Sequence, residues 1–269
     1  MFLLERKSNV KKHLYKAMVQ LTNNPIYSDI LKRFATSKMS GKLNQSFVNA
    51  FNINQEELQY EINHYPTIHD FFIRQLKEGA REVDVSPSSV VSPVDGVLTE
   101  WGTIDEKANF YVKENDYPLK KLLGLKNTTR RYIGGTYMVF YLSPKDYHRI
   151  HSPIKAKVVK RWALGKYSEP VNKMGLLLGE KPLANNYRLI TELKVEQKHV
   201  ALAKIGALNV NSVHASHLKP QLEKGEELGY FSFGSSVVLL FEAGLIKTAF
   251  ATDEQDIMIR QGEKIGTLV

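Results

Sequence analysis

Residues 230–242 read YFSFGSSVVLLFE, Tyr230 to Glu242. The run Val237 to Phe241 is uninterrupted apolar sequence of strand length, the composition of a strand that sits in a core. Gly234, Ser235 and Ser236 stand directly in front of it. A Gly-Ser peptide bond at the mouth of a buried strand, so near the C-terminus, is an unusual place for three small residues.

The same texture extends backwards from this strand. "SVVSPVDGVLTEWG", "TYMVFYLSP", "KVVKRWAL", "RLITELKV" and "HVALAKIGALNVNSV" are short runs of Val, Ile, Leu, Tyr and Phe. Gly, Pro, Asn and Asp punctuate them, which predicts many short strands joined by tight turns. No internal repeat and no low-complexity tract is legible.

The first 80 residues differ. Val10, Leu14, Ala17, Met18 and Leu21 fall at helical spacing over 10–22, and Asn23-Asn24-Pro25 ends that pattern. Further helices are expected around Tyr27 to Thr36 and Leu43 to Phe51. Thr67 with Asp70 predicts a capped helix start, with Phe71, Phe72 and Leu76 facing inward and Gly79 closing the helix. The fold class is therefore α+β: a helical N-terminal segment, 1–80, followed by a β-rich body of short, mostly antiparallel strands, 81–269.

Of the 269 residues, 43% are apolar and 24% charged, ordinary globular values. There is no Cys, which excludes disulfides, cysteine nucleophiles and thiolate metal sites. The net charge is +9, and residues 1–50 carry +7 of it. A basic end of this kind meets nucleic acid or an anionic lipid surface. It reads equally as a bilayer-interface segment or as a helical cap with a wet basic face. No stretch approaches the roughly 18 consecutive apolar residues of a membrane span.

Three polar clusters stand at strand ends. In "SPVDG" (Ser92 to Gly96), Asp95 is either an ordinary Asp-Gly turn residue or a functional carboxylate. In "DYHRIHSP" (Asp146 to Pro153), His148 and His151 are three apart, which on a helix or turn places both imidazoles on one side. No carboxylate stands at obvious ligand spacing, so no metal is expected. Gly234-Ser235-Ser236 is the third. Together they supply a carboxylate, a histidine and a serine, the parts of an activated hydroxyl.

The order and wording of five blocks resemble the phosphatidylserine decarboxylases, the pyruvoyl-dependent enzymes of phospholipid synthesis. The blocks are "FFIRQLKEGAR", "SPVDG", "YHRIHSP", "GALNVNSV" and "KGEELGYFSFGSSVVLLFE". The family's Leu-Gly-Ser-Thr processing motif is here Phe233-Gly234-Ser235-Ser236, with the Gly-Ser pair intact. Its "NERV" block is here Asn185 to Arg188, "NNYR", a clearer departure.

The resemblance implies that the chain cuts itself at Gly234–Ser235 into fragments 1–234 and 235–269. Ser235 Oγ attacks the Gly234 carbonyl, with His151 as base and Asp95 orienting it. Ser235 then becomes a pyruvoyl group, the cofactor. Phosphatidylserine joins it as a Schiff base and loses CO₂ to leave phosphatidylethanolamine, with His148 in acid–base work. The implied partners are phosphatidylserine, an anionic membrane surface, and the two fragments as a heterodimer that itself pairs, with no nucleic acid. The implied location is the cytoplasmic side of the cell membrane, peripherally bound. Two rival readings remain: a Ser-His-Asp hydrolase with an uncleaved chain, which the missing G-x-S-x-G elbow disfavours, and a non-catalytic lipid-binding module.

Overall fold

The computed structural model describes residues 25–113, 115–207, 213–232, 235–251, 254 and 256–269. The helix expected over 10–22 lies outside the described residues. The next two occupy Pro25–Ala35 and Asn44–Phe51, close to expectation. Thr67 caps the following helix as anticipated: its Oγ1 accepts the Asp70 N–H at 3.0 Å and donates to Asp70 Oδ2 at 2.7 Å. That helix, Ile68–Phe72, stops far short of Gly79. Beyond it the backbone pairs with residues 57–59 instead of with its own preceding turn: Gln59 N–H donates to Gln75 O, and Lys77 N–H to Glu57 O. Leu76 consequently bridges to Leu58 in an extended contact. Val48, Ile53, Leu58, Tyr65 and Phe71 form a small core beneath these helices.

From Ser89 onward the chain is strand-rich. The strands are β1 (Ser89–Val91), β2 (Gly96–Thr103), β3 (Asn109–Val112), β4 (Asn115–Pro118), β5 (Thr136–Leu142), β6 (Arg149–His151), β7 (Ala156–Leu164) and β8 (Arg188–Val195). They continue with β9 (Lys198–Gly206), β10 (Val213–Ala215), β11 (Gln221–Leu222), β12 (Glu227–Phe231), β13 (Ser235–Phe241), β14 (Ile246–Thr248), β15 (Ile257–Ile259) and β16 (Lys264–Leu268). The main sheet has eight strands in the order β11-β7-β8-β9-β13-β5-β2-β15, and every named pairing in it is antiparallel. Two three-stranded sheets, β1-β16-β14 and β10-β12-β6, pack with it.

Strand β13 lies centrally, paired with β9 on one side and β5 on the other, and all seven of its residues are buried. Its continuous apolar run follows from two cores. Val237, Leu239 and Phe241 enter one, while Val238 and Leu240 enter the other. A strand covered on both faces has no polar side to alternate with.

A repeat invisible in the sequence emerges here and corrects the expectation of none. Ser92-Pro93 and Ser152-Pro153 form equivalent turns. Ser92 Oγ donates to Val94 O, and Ser152 Oγ to Ile154 O, both at 2.7 Å. Gly262 N–H donates to Ser92 O, and Gly225 N–H to Ser152 O. The two turns then lock reciprocally, with Val91 N–H donating to Pro153 O at 2.9 Å and His151 N–H to Pro93 O at 2.8 Å. The matching strand pairs are β1 with β16 and β6 with β12. This local two-fold arrangement joins the turn of Asp95 to the strand of His151.

Candidate active site

Four strand ends meet at one end of the main sheet. Ser235, the first residue of β13, is registered opposite Leu142, the last of β5, and opposite Gly206, the last of β9. Val97, next to the start of β2, faces Tyr141. Asp95 thus precedes a strand whose start lies beside the end of β5. Gly96 is there because its φ is +148° and a Cβ would meet Tyr141 O at 2.3 Å. After Leu142 the chain turns into the loop that carries His148. Ser143 N–H and Oγ both donate to the Asp146 carboxylate at 2.7 Å, which folds this loop.

Ser235 and Ser236 are fully buried, and neither hydroxyl has a hydrogen-bond partner among the described residues. An unsatisfied buried hydroxyl costs roughly 1–3 kcal/mol. Gly234, the residue on the acyl side, lies outside the described residues, as do 208–212 of the "GALNVNSV" block.

The two histidines occupy different surroundings. His151 ends the strand β6 and His148 directly precedes it, so neither the helix nor the turn that would place both imidazoles on one side is present. His148 is wholly buried, its ring 4.0 Å from that of Phe72. Its Nδ1–H donates to Asp146 O at 2.8 Å, which leaves Nε2 a bare lone pair without a partner among the described residues. Burial pushes its pKa down to about 3. His151 Nδ1–H donates to Gly225 O at 2.8 Å, and its Nε2 sits 3.4 Å from the Tyr147 hydroxyl. Burial lowers its pKa as well. Both rings are therefore neutral at pH 7 and present Nε2 as a base.

Asp95 is buried, and its carboxylate is claimed by others. Arg81 Nε donates to both of its oxygens, at 2.8 and 3.0 Å, and Gln261 N–H donates at 2.8 Å. Arg81 also reaches Glu57 at 2.9 Å, which ties the helical segment to the site. Asp95 lies within electrostatic reach of His151, though no hydrogen bond joins them. The structure thus brings Asp95, His148, His151 and Ser235 to one end of the sheet, without linking them as a hydrogen-bonded chain.

Sequence reasoning placed Phe72 facing inward but gave it, Arg74 and Arg81 no part in the site, although all three stand in "FFIRQLKEGAR". Arg74, 3% exposed, donates from Nη2 to Lys145 O at 2.7 Å and to Asp146 O at 3.1 Å. The carbonyl that holds His148 is thereby held itself. The departing "NNYR" block is structural. Asn186 Nδ2 donates to Gly206 O at 2.9 Å, fixing the residue opposite Ser235, and Arg188 Nε donates to Leu122 O at 2.6 Å.

Comparison with known proteins shows the family. The family model for phosphatidylserine decarboxylase matches residues 68–267. The phosphatidylserine decarboxylase proenzyme of Halalkalibacterium halodurans is 46% identical over 260 residues, covering 96% of this chain and 99% of that protein. The proenzyme of Bacillus mycoides is 46% identical over 261 residues, covering 97% and 99%. The chain is an enzyme of the phosphatidylserine decarboxylase family.

Proposed function

We propose that the chain cuts its own backbone at Gly234–Ser235, converts Ser235 to a pyruvoyl group, and uses it to decarboxylate phosphatidylserine to phosphatidylethanolamine and CO₂. The observation that carries this reading is the Ser235 hydroxyl, fully buried and without a partner among the described residues, at the end of a core strand. The Ser236 hydroxyl is buried and unpartnered as well; what singles out Ser235 is its place directly after Gly234, in the Gly-Ser pair that matches the family's processing motif, at the first residue of β13.

In the self-cleavage, Ser235 Oγ bonds to the Gly234 carbonyl carbon and the C–N bond breaks, leaving an ester and a free amine. His151 takes the hydroxyl proton at Nε2 and returns it to the departing nitrogen. The Asp95 carboxylate, held by Arg81, stabilises the transient imidazolium by its charge. Loss of the Ser235 α-proton then expels the Gly234 carboxylate and forms dehydroalanine. Addition of water and departure of ammonia leave the ketone. Attack within one chain is entropically favoured, because hydroxyl and carbonyl are already neighbours.

When present, the pyruvoyl ketone supplies an electron sink for the pair released with CO₂. His148, neutral and with Nε2 unbonded, takes a proton from the substrate ammonium and returns one to the product carbon. Phe72 and the Asp146 carbonyl keep its ring and tautomer fixed.

The test is the mass of the purified protein. Two fragments, 1–234 and 235–269, with the smaller blocked at its N-terminus and reactive toward a carbonyl reagent, support the reading. Ser235→Ala should give one chain and no CO₂. An active protein with an intact, ordinary serine at 235 would overturn it.

The same reading places the protein on an anionic membrane surface. No helix among the described residues is long and apolar enough to cross a membrane. The helix Pro25–Ala35 instead exposes Ile30, Leu31 and Phe34 next to Lys32 and Arg33, and Met39 beyond it is 72% exposed. Apolar side chains among cations suit shallow insertion at an anionic interface.

A further inference from the structure

Arg74 is a buried cation on which the Asp95 and Asp146 carboxylates act only at longer range. No carboxylate pairs with it among the described residues, and its Nε and Nη1 have no acceptor. Burial lowers its pKa only to about 10, so it stays charged at pH 7. It lines a crevice of about 270 Å³ between the helical segment and β6. Tyr65, 8% exposed, lines the same crevice, and its hydroxyl also lacks a side-chain partner among the described residues. The other charges there are already engaged. Arg149 pairs with Glu227 at 2.9 Å, and the partly exposed Asp70 accepts from Thr67. Two guanidinium nitrogens and a phenol, buried in the crevice wall, thus have no acceptor among the described residues, and the guanidinium lies over the Phe71 ring, 5.3 Å from its centroid.

A buried charge left unpaired is costly, and a monoanion from outside the chain would complete it. We infer that the crevice lined by Arg74 and Tyr65 is an anion subsite for the phosphodiester of a phospholipid headgroup. This rests on the decarboxylase reading for the identity of the lipid. A phosphodiester carries one negative charge, matching one guanidinium, and its oxygens accept several donors at once. The substrate carboxylate is a poorer match. A guanidinium bound to it would stabilise the charge that departs as CO₂, favouring the ground state over the transition state. The phosphodiester charge is the same throughout. Through Nη2, Arg74 also holds Asp146 O, the acceptor of His148 Nδ1–H, so the headgroup anchor and the imidazole share one backbone carbonyl.

The test uses full-length protein carrying Ser235→Ala, which can neither cleave nor turn over, titrated calorimetrically with glycerophosphoserine, glycerophosphocholine, serine and inorganic phosphate. Both glycerophosphodiesters should bind with similar affinity and serine should not. Arg74→Gln should weaken that binding at least tenfold, and Tyr65→Phe, which removes one oxygen and keeps the ring, several-fold. Binding by serine alone, or affinities unchanged in both variants, would overturn the subsite. Inorganic phosphate binding as tightly as the diesters, with the same dependence on Arg74, would reassign it to a free anion. On the processed enzyme, Tyr65→Phe should raise KM more than it lowers kcat. A processed wild type that releases no CO₂ would sink the decarboxylase reading while leaving the titration intact.

Discussion

His148 shows how a single side chain is tuned by what it lacks. It has one hydrogen bond, to Asp146 O, an aromatic ring against its face, and no access to water. Its pKa falls from 6.5 to about 3, because the charged ring would have no solvation. The unfolded chain takes up a proton near the ordinary value while the folded chain does not, so folding stability must drop as pH falls. The loss begins near 6.5, runs to about 3, and approaches 1.4 kcal/mol per pH unit for this one group. Urea unfolding of the Ser235→Ala protein between pH 7 and 4.5 should show that slope, and the further change His148→Phe should flatten it. Equal slopes would place His148 in contact with water. Arg81 makes the opposite case, a cation whose value lies in the two carboxylates it joins. Arg81→Gln in the same background should cost on the order of 3 kcal/mol, because Asp95 keeps only its backbone donor while remaining buried.

The strands and turns decide what the proposed cut would leave behind. The 235–269 fragment contributes β13 to the middle of the main sheet, β15 to its edge against β2, and β16 as the partner of β1. Seven residues of β13 are paired on both sides and fully buried, so a cut at its first residue leaves the pairing of Ser236 to Phe241 in place. The fragments should co-elute on size exclusion until denaturant unfolds the sheet. Leu239→Ala, at a fully buried position, should lower the unfolding free energy by about 2–5 kcal/mol without freeing the fragment in buffer. Separation of wild-type fragments in buffer would contradict the sheet order. At the other end, Thr67→Ala should cost about 1 kcal/mol by uncapping Ile68–Phe72. These elements are legible in the sequence to unequal degrees. The run Val237 to Phe241 announces a doubly covered strand, because five apolar residues without alternation leave no face to turn toward water. The helix from Thr67 is shorter than its cap and apolar spacing suggest, because its stop comes from backbone bonds to residues 57–59, which have no local signature. Asp95, His148, His151 and Ser235 are legible as a set through the five blocks. Their actual partners, the carbonyls of Gly225 and Asp146 and the guanidinium of Arg81, are not, since any residue type can offer a carbonyl. The two-fold turn repeat is hidden because only Ser-Pro and Gly-Glu recur between its halves.

At the scale of the molecule, charge and apolar exposure fall in the same segment. Of the net +9, +7 belongs to the first 50 residues. Within the described part of that segment, Ile30 is 57% exposed and Phe34 44%, on a helix that also carries Lys32 and Arg33. The two kinds of residue should fail differently on a membrane. A cation near an anionic surface contributes on the order of 1 kcal/mol, or about fivefold in binding, and salt screens it. An inserted apolar side chain contributes through burial, which salt does not weaken. Flotation with vesicles containing phosphatidylserine should therefore show salt-sensitive binding. Lys32→Ser with Arg33→Ser should weaken it strongly at low salt and little at high salt. Ile30→Ser with Phe34→Ser should weaken it at both, with thermal unfolding of each variant unchanged because these side chains face solvent. If the apolar pair proves neutral while the cations matter, the segment touches the surface by charge alone and does not insert. If neither pair matters, attachment through this helix is wrong.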